Sequence, residues 1–206
     1  ASMHVGALLA GLHSVAVPAQ RVVGARELLE RLGLVAQTLV LVEPRWERAV
    51  RALAGSLAAS ANAFATAPNV TLHGDLHPRN VLINGEHLGL IDLDSVRRGP
   101  AVADLGDWVA DAVYRALLGG QNVAGALASC RAFLRGYGLA VQAPCVESAL
   151  AWSTANSLLC QRAWRSVVNL KPGRYALVEP LLEIAAAIQR SGSIDAALQT
   201  PQRLAA

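Results

Sequence analysis

Leu72-His73-Gly74-Asp75-Leu76-His77-Pro78-Arg79-Asn80-Val81-Leu82-Ile83 is the stretch on which the reading of this chain turns. An aspartate follows a histidine by two residues, an asparagine follows that aspartate by five, and a β-branched apolar run begins at once. The run Asn80-Val81-Leu82-Ile83-Asn84 predicts a short strand, Gly85-Glu86 a turn, and Leu88 to Leu93 a returning strand. Two such runs about a tight turn make a hairpin. Leu90-Ile91-Asp92-Leu93-Asp94 then places a carboxylate at the end of the second strand, where it can face the same point as Asn80.

Outward from this insert the pattern is helical. Before it, helices are expected over Val5 to Ser14, over Ala25 to Leu32 with Gly33 as stop, and over Trp46 to Phe64, ended by Pro68 and Asn69. After the break Arg97-Arg98-Gly99-Pro100, helices are expected over Val102 to Leu118, Asn122 to Tyr137 (closed by Gly138), Pro144 to Val168 and Arg174 to Arg190. The organisation is one unit: a catalytic and metal segment at 70–108, a helical subdomain at 109–190, and a weakly patterned tail at 191–206. Helices around one small β insert define an α+β, mostly helical class.

Composition agrees. Of 206 residues 53% are hydrophobic and 16% charged, which supports a packed core and excludes intrinsic disorder. Net charge is +3 with no long basic run, so nucleic acid is not an expected partner. His4 to Gln20 is uncharged but lacks the Lys/Arg-rich leader of a signal peptide, and Ala52 to Leu72 carries too many polar residues for a membrane span. Cys130, Cys145 and Cys160 are widely spaced and read as buried thiols of a reducing, cytoplasmic compartment.

Six of the seven aspartates lie between positions 75 and 111. Short carboxylates suit an oxygen-ligand site for Mg²⁺. Turns and helix starts account for Asp104 and in part Asp107, but not for Asp92 within an apolar run. H-x-D-x-x-x-x-N before a strand is also the spacing of the kinase catalytic loop. There one carboxylate orients a substrate hydroxyl while an amide oxygen holds Mg²⁺ beside it. His73-x-Asp75-x-His77 as hydrolase metal ligands is the weaker reading, because too few His or Cys residues remain to complete such a site.

HGDLHPRN at 73–80, LIDLD at 90–94 and VADLGDW at 102–108 together resemble the aminoglycoside phosphotransferase and choline kinase superfamily. Gly6 to His13 also resembles the first helix of that family's large lobe. The resemblance implies a protein-kinase-like C-terminal lobe and an ATP-dependent phosphotransferase acting on a small-molecule hydroxyl. By the same resemblance Asp75 is the catalytic aspartate, Asn80 and Asp92 are the Mg²⁺ ligands, and His73 and Asp104 support the loop. Asp94 is a candidate second acid at the metal. His77 and Asp107 are candidate substrate contacts, set against an ordinary loop histidine and, for Asp107 with Asp111, a solvated helix face. Arg162 and Arg165 are candidates for binding a substrate anion, set against plain surface arginines. Trp108, Trp152 and Trp164 are expected in the core. The acidic cluster would suit an amino-sugar or choline-like cation, although the same acids serve the metal.

One part of a kinase is missing from the string. No Gly-rich phosphate loop precedes Asp75, and the sole lysine, Lys171, lies well past it. Arg21 and Arg26 do not replace a strand lysine. The expectation is a large lobe whose nucleotide-clamping N-terminal lobe is supplied in cis or in trans, inactive alone. The alternative is a non-catalytic, pseudokinase-like binding module.

Overall fold

The computed structural model describes residues 1–18, 22–65, 69–143, 145–169 and 172–198. The features expected at Arg21, Pro68, Pro144 and Lys171, and the tail beyond residue 198, lie outside the described residues.

The chain begins with helices α1 (Ser2–Ser14), α2 (Ala25–Val42), α3 (Glu47–Ala59) and a single turn α4 (Asn62–Ala65). Strands follow as β1 (Asn69–Leu72), β2 (Val81–Asn84), β3 (His87–Leu90) and β4 (Arg97–Pro100). The rest is helical: α5 (Val102–Leu118), α6 (Val123–Val141), α7 (Glu147–Ser157), α8 (Trp164–Val168) and α9 (Val178–Ser191). The fold is α+β and mostly helical, as the sequence predicts.

The hairpin forms where expected, with Val81 opposite Leu90 and Asn84 opposite His87. A second pair was hidden. Arg97-Arg98-Gly99-Pro100 reads as a breaker, yet it lies antiparallel to β1, with Leu72 opposite Arg97 and Asn69 opposite Pro100. Pro100 needs no ladder donor at a strand end. The pairing closes residues 73–96 into one excursion anchored at both feet.

Helix α5 is the axis of the core. Val102, Leu105, Val109, Val113 and Ala116 are buried along it, and Trp108 stacks on Phe133 of α6 at 4.6 Å between ring centroids. Trp152 of α7 is buried and its Nε1 donates to the Leu57 carbonyl at 2.9 Å. Trp164 is only half-buried, its face under the Arg31 guanidinium at 5.6 Å. Helix α1 crosses α6 at backbone contact: a Cβ on Gly6 would overlap the Phe133 carbonyl, and one on Gly136 the Met3 carbonyl.

Several boundaries differ from the sequence reading. Helix α2 passes through Gly33, because an exposed glycine costs only about 1 kcal/mol against alanine and packing of Leu32, Val35 and Leu39 outweighs it. Helix α6 likewise passes Gly138 and ends at Gln142, which adopts the left-handed region. The helix expected over 46–64 is broken at Ser60. The long helix to Val168 is interrupted by a π-helical segment at Leu158–Ala163. Cys130 and Cys160 are buried free thiols pushed up to about 12 by desolvation, and the half-buried Cys145 to about 11. Among the described residues no helix is long and apolar enough to cross a membrane.

Candidate functional site

β1 hands the chain directly to His73, and α5 supplies the group that fixes it. Asp104 is buried and accepts the His73 backbone N–H at 2.7 Å on Oδ2 and the Gly74 N–H at 3.0 Å on Oδ1. Its Oδ2 also meets His13 Nε2 at 3.1 Å, and the other nitrogen of that ring meets the Tyr137 hydroxyl at 2.9 Å. A carboxylate taking backbone N–H groups makes charge-assisted bonds, the stronger kind. The Tyr137–His13–Asp104 chain thus reaches from α6 through α1 and α5 to the loop. Sequence reasoning had placed Asp104 but gave His13 and Tyr137 no part. The available signal was a histidine ending an otherwise apolar helix.

His73 binds the excursion to itself. The Asp75 N–H points at its Nδ1 (3.4 Å), so Nε2 carries the proton and donates to the Ile91 carbonyl at 3.0 Å. The Ile91 N–H donates to the Asn80 carbonyl at 3.0 Å. Ile91 is therefore tethered at both backbone groups, and Asp92 is the next residue. Asn80 is buried and its Nδ2 donates to the Asp75 carbonyl at 3.1 Å. Asp75, Asn80 and Asp92 are thus tied together through short backbone links.

Asp92 departs from expectation in conformation. Strand β3 ends at Leu90, and Asp92 sits at φ 62°, ψ 54°, in the left-handed region, before a 3₁₀ turn at Leu93–Ser95. A non-glycine residue there is strained, and such strain gathers at functional sites. Gly74, at φ 83°, lies against this turn so closely that a Cβ would overlap the Ser95 carbonyl. Arg97 Nη2 donates to the Gly74 carbonyl at 3.2 Å. Asp94 is exposed on the turn.

The carboxylate of Asp75 is held differently. It is part-exposed, with His77 Nε2 at 3.8 Å and Arg165 Nη1 at 4.0 Å. Both exceed hydrogen-bond length. His77 is buried, its Nδ1 has no partner among the described residues, and desolvation moves its pKa below 6.5 despite the pull of Asp75.

The solvated face expected for Asp107 and Asp111 is not there. Both are buried. Gln161 Nε2 donates to Asp107 Oδ1 at 2.7 Å, and burial raises the Asp107 pKa against the pull of Arg162. Asp111 pairs with Arg115 one turn along and with Arg162 Nη1 at 3.3 Å. The π-helical segment carries Gln161 and Arg162 to these acids, and such widened turns recur at functional sites. Arg162 is thus a buried ion-pair partner rather than a surface arginine.

The donor set suits a hard divalent cation completed by other ligands. Asn80 spends its amide nitrogen on the loop, which leaves its amide oxygen for a ligand role, and Asp92 offers a carboxylate beyond a shared tether. Mg²⁺ is commonly held by one or two side chains together with phosphate oxygens and water. Among the described residues no cluster of three His, Cys, Asp or Glu forms a cage of its own.

No curated protein matches the chain at a significant level. Solved structures do. A choline/ethanolamine kinase family protein from Mesorhizobium loti superposes with a TM-score of 0.64 at 16% identity, over 97% of this chain and 67% of that one. A spectinomycin phosphotransferase, solved with ADP and spectinomycin, gives 0.59 at 16% identity, over 92% and 65%. A glucosamine kinase gives 0.51 at 20% identity, over 92% and 52%. The chain therefore spans between about half and two thirds of these structures' lengths, and at such identities the likeness is one of fold. Residues 3–139, most of the chain and all of the tethered loop, match the model of a family described as phosphotransferase enzymes. The chain belongs to the phosphotransferase enzyme family.

Proposed function

We propose that the chain is the catalytic C-terminal lobe of an ATP-dependent phosphotransferase that phosphorylates a hydroxyl of a small molecule. The observation that carries this reading is the double tether of Ile91 to His73 and Asn80, which brings the Asp92 segment beside the Asp75 loop. The names of the solved neighbours, a choline/ethanolamine kinase family protein and a glucosamine kinase among them, support a small acceptor.

In this reading Asp75 accepts a hydrogen bond from the acceptor hydroxyl and turns its oxygen toward the γ-phosphate. Among the described residues its carboxylate has no short hydrogen bond to break first. Asn80 and Asp92 would hold Mg²⁺, which supplies charge neutralisation for the phosphates. His73 and Asp104 keep the loop in register. Positioning and charge placement carry most of the rate in such transfers.

Leu82, Ile83, Ile91 and Leu93 are exposed around the hairpin and turn, an apolar surface that a nucleotide-clamping lobe, in cis or in trans, would cover. We place the protein in a reducing cytoplasm, where its three free thiols persist.

The test is Asp75→Asn in the protein assembled with its nucleotide-clamping lobe, assayed for ADP release against an acceptor panel. General-base losses run to roughly 10²–10⁴-fold in turnover. Circular dichroism should remain unchanged. Undiminished turnover would sink the assignment.

A further inference from the structure

Two of the acids expected to select a cation are engaged inside the fold. Asp107 and Asp111 on α5 are buried, Asp107 taking a hydrogen bond from Gln161 and Asp111 paired with Arg115 and Arg162. Both carboxylates are turned into the fold rather than toward solvent. What stands beside the Asp75 carboxylate instead is Arg165, whose Nη1 lies 4.0 Å from Oδ1. Its side chain is 41% solvent-exposed, and that long contact is its ion pair among the described residues. One turn earlier Arg162 is buried, its Nε atom without a partner among the described residues. Arg79 is exposed at the foot of the same loop.

The arrangement has a direction. One i,i+3 step separates Arg162 and Arg165, and Arg165 meets the loop at Asp75. A guanidinium with spare N–H groups, half in solvent and beside a catalytic carboxylate, binds carboxylate or phosphate oxygens in a forked geometry. An ammonium group brought to the same place would meet the Arg165 charge, whereas an anionic group would pair with it. Resting on the phosphotransferase reading above, we propose that Arg165 is a specificity-determining residue and that the acceptor is a hydroxylated anion, carrying a carboxylate or phosphate close to the hydroxyl that Asp75 orients.

The experiment is a binding measurement on the purified chain without nucleotide, so its outcome does not depend on phosphoryl transfer. Thermal shift followed by calorimetric titration would use three arms: hydroxy acids, sugar acids and sugar phosphates; neutral polyols; and amino alcohols and amino sugars. Glucuronate, glucose and glucosamine give one matched trio of nearly equal size. The expected result is stabilisation confined to the anionic arm, with carboxylate and phosphate members telling the two anion types apart. Arg165→Gln should weaken that binding roughly tenfold or more, and Arg165→Lys should restore part of it. Because Arg165 is exposed on a helix, the glutamine variant should keep the parent melting temperature. Binding confined to the amine or neutral arms overturns the proposal. So does anion binding that survives Arg165→Gln undiminished, or silence across the whole anionic arm. Loss of turnover in Asp75→Asn alongside any of those outcomes would leave the phosphotransferase reading standing and remove only this one.

Discussion

Asp104→Asn is the sharpest probe of how the loop is held. The carboxylate serves three donors: the His73 and Gly74 backbone N–H groups and His13 Nε2. Asparagine keeps the shape but offers one oxygen. If that oxygen stays at the Oδ2 position, His73 and His13 remain satisfied and the new amide nitrogen faces the Gly74 N–H. The opposite orientation orphans two donors, so the first is favoured. An unsatisfied donor costs about 1–3 kcal/mol, and turning two charge-assisted bonds into neutral ones costs about 1–2 kcal/mol more. The sum is about 2–5 kcal/mol. For a domain of this size 1 kcal/mol moves the melting temperature by about 2–4 °C, so a drop of roughly 4–20 °C is expected. Hydrogen exchange should show the loss falling first on the Gly74 amide while the α6 amides stay protected. A melting temperature within about 1 °C of the parent would refute the reasoning, because no buried donor would then have been orphaned. Unchanged Gly74 protection would refute it equally.

Two further outcomes follow from the same geometry. Gly74→Ala combines a left-handed backbone with a Cβ overlapping the Ser95 carbonyl, so it should cost more than the ~1–2 kcal/mol of the conformation alone; urea unfolding measures this, and a loss under about 1 kcal/mol contradicts the close contact. His77 has a folded pKa below its ordinary 6.5, so the native state binds fewer protons than the unfolded chain between that lowered value and 6.5. Stability should therefore rise with pH through this window and fall on acidification, and His77→Gln should flatten that slope in melting curves taken across the window.

The loop was legible because its signals are local. Asp75, Asn80 and Asp92 are read from spacing, and the hairpin from β-branched residues around Gly85. What escaped depends on partners distant in sequence. Arg97 to Pro100 has the composition of a break and becomes a strand only because β1 needs an edge. Asp107 and Asp111 share a helical face with Asp104, and acids at that period read as solvated. They are buried because Arg162 and Gln161 reach them from a π-widened turn some 50 residues on. No periodicity in α5 announces a cation arriving from another helix. The left-handed Asp92 escaped for the opposite reason: its neighbours Ile91 and Leu93 favour a strand, and the tether to His73 and Asn80 overrides them.

The two carboxylates closest to the loop show how the fold separates support from chemistry. Asp104 is buried, and its two oxygens are engaged by three donors within 3.1 Å. Two of those donors are backbone N–H groups of the loop itself. Asp75 has the His77 imidazole at 3.8 Å and the Arg165 guanidinium at 4.0 Å and is part-exposed to solvent. In the proposed function the Asp75 carboxylate receives a substrate hydroxyl and so needs free lone pairs in a fixed place, and the two requirements conflict on one residue. Here they fall on two. Asp104 spends its hydrogen bonds on the backbone at residues 73 and 74, and that backbone delivers Asp75 with its carboxylate unspent. Exchanging the saturations, with Asp75 tightly paired and Asp104 free, would give a mobile loop carrying an inert acid.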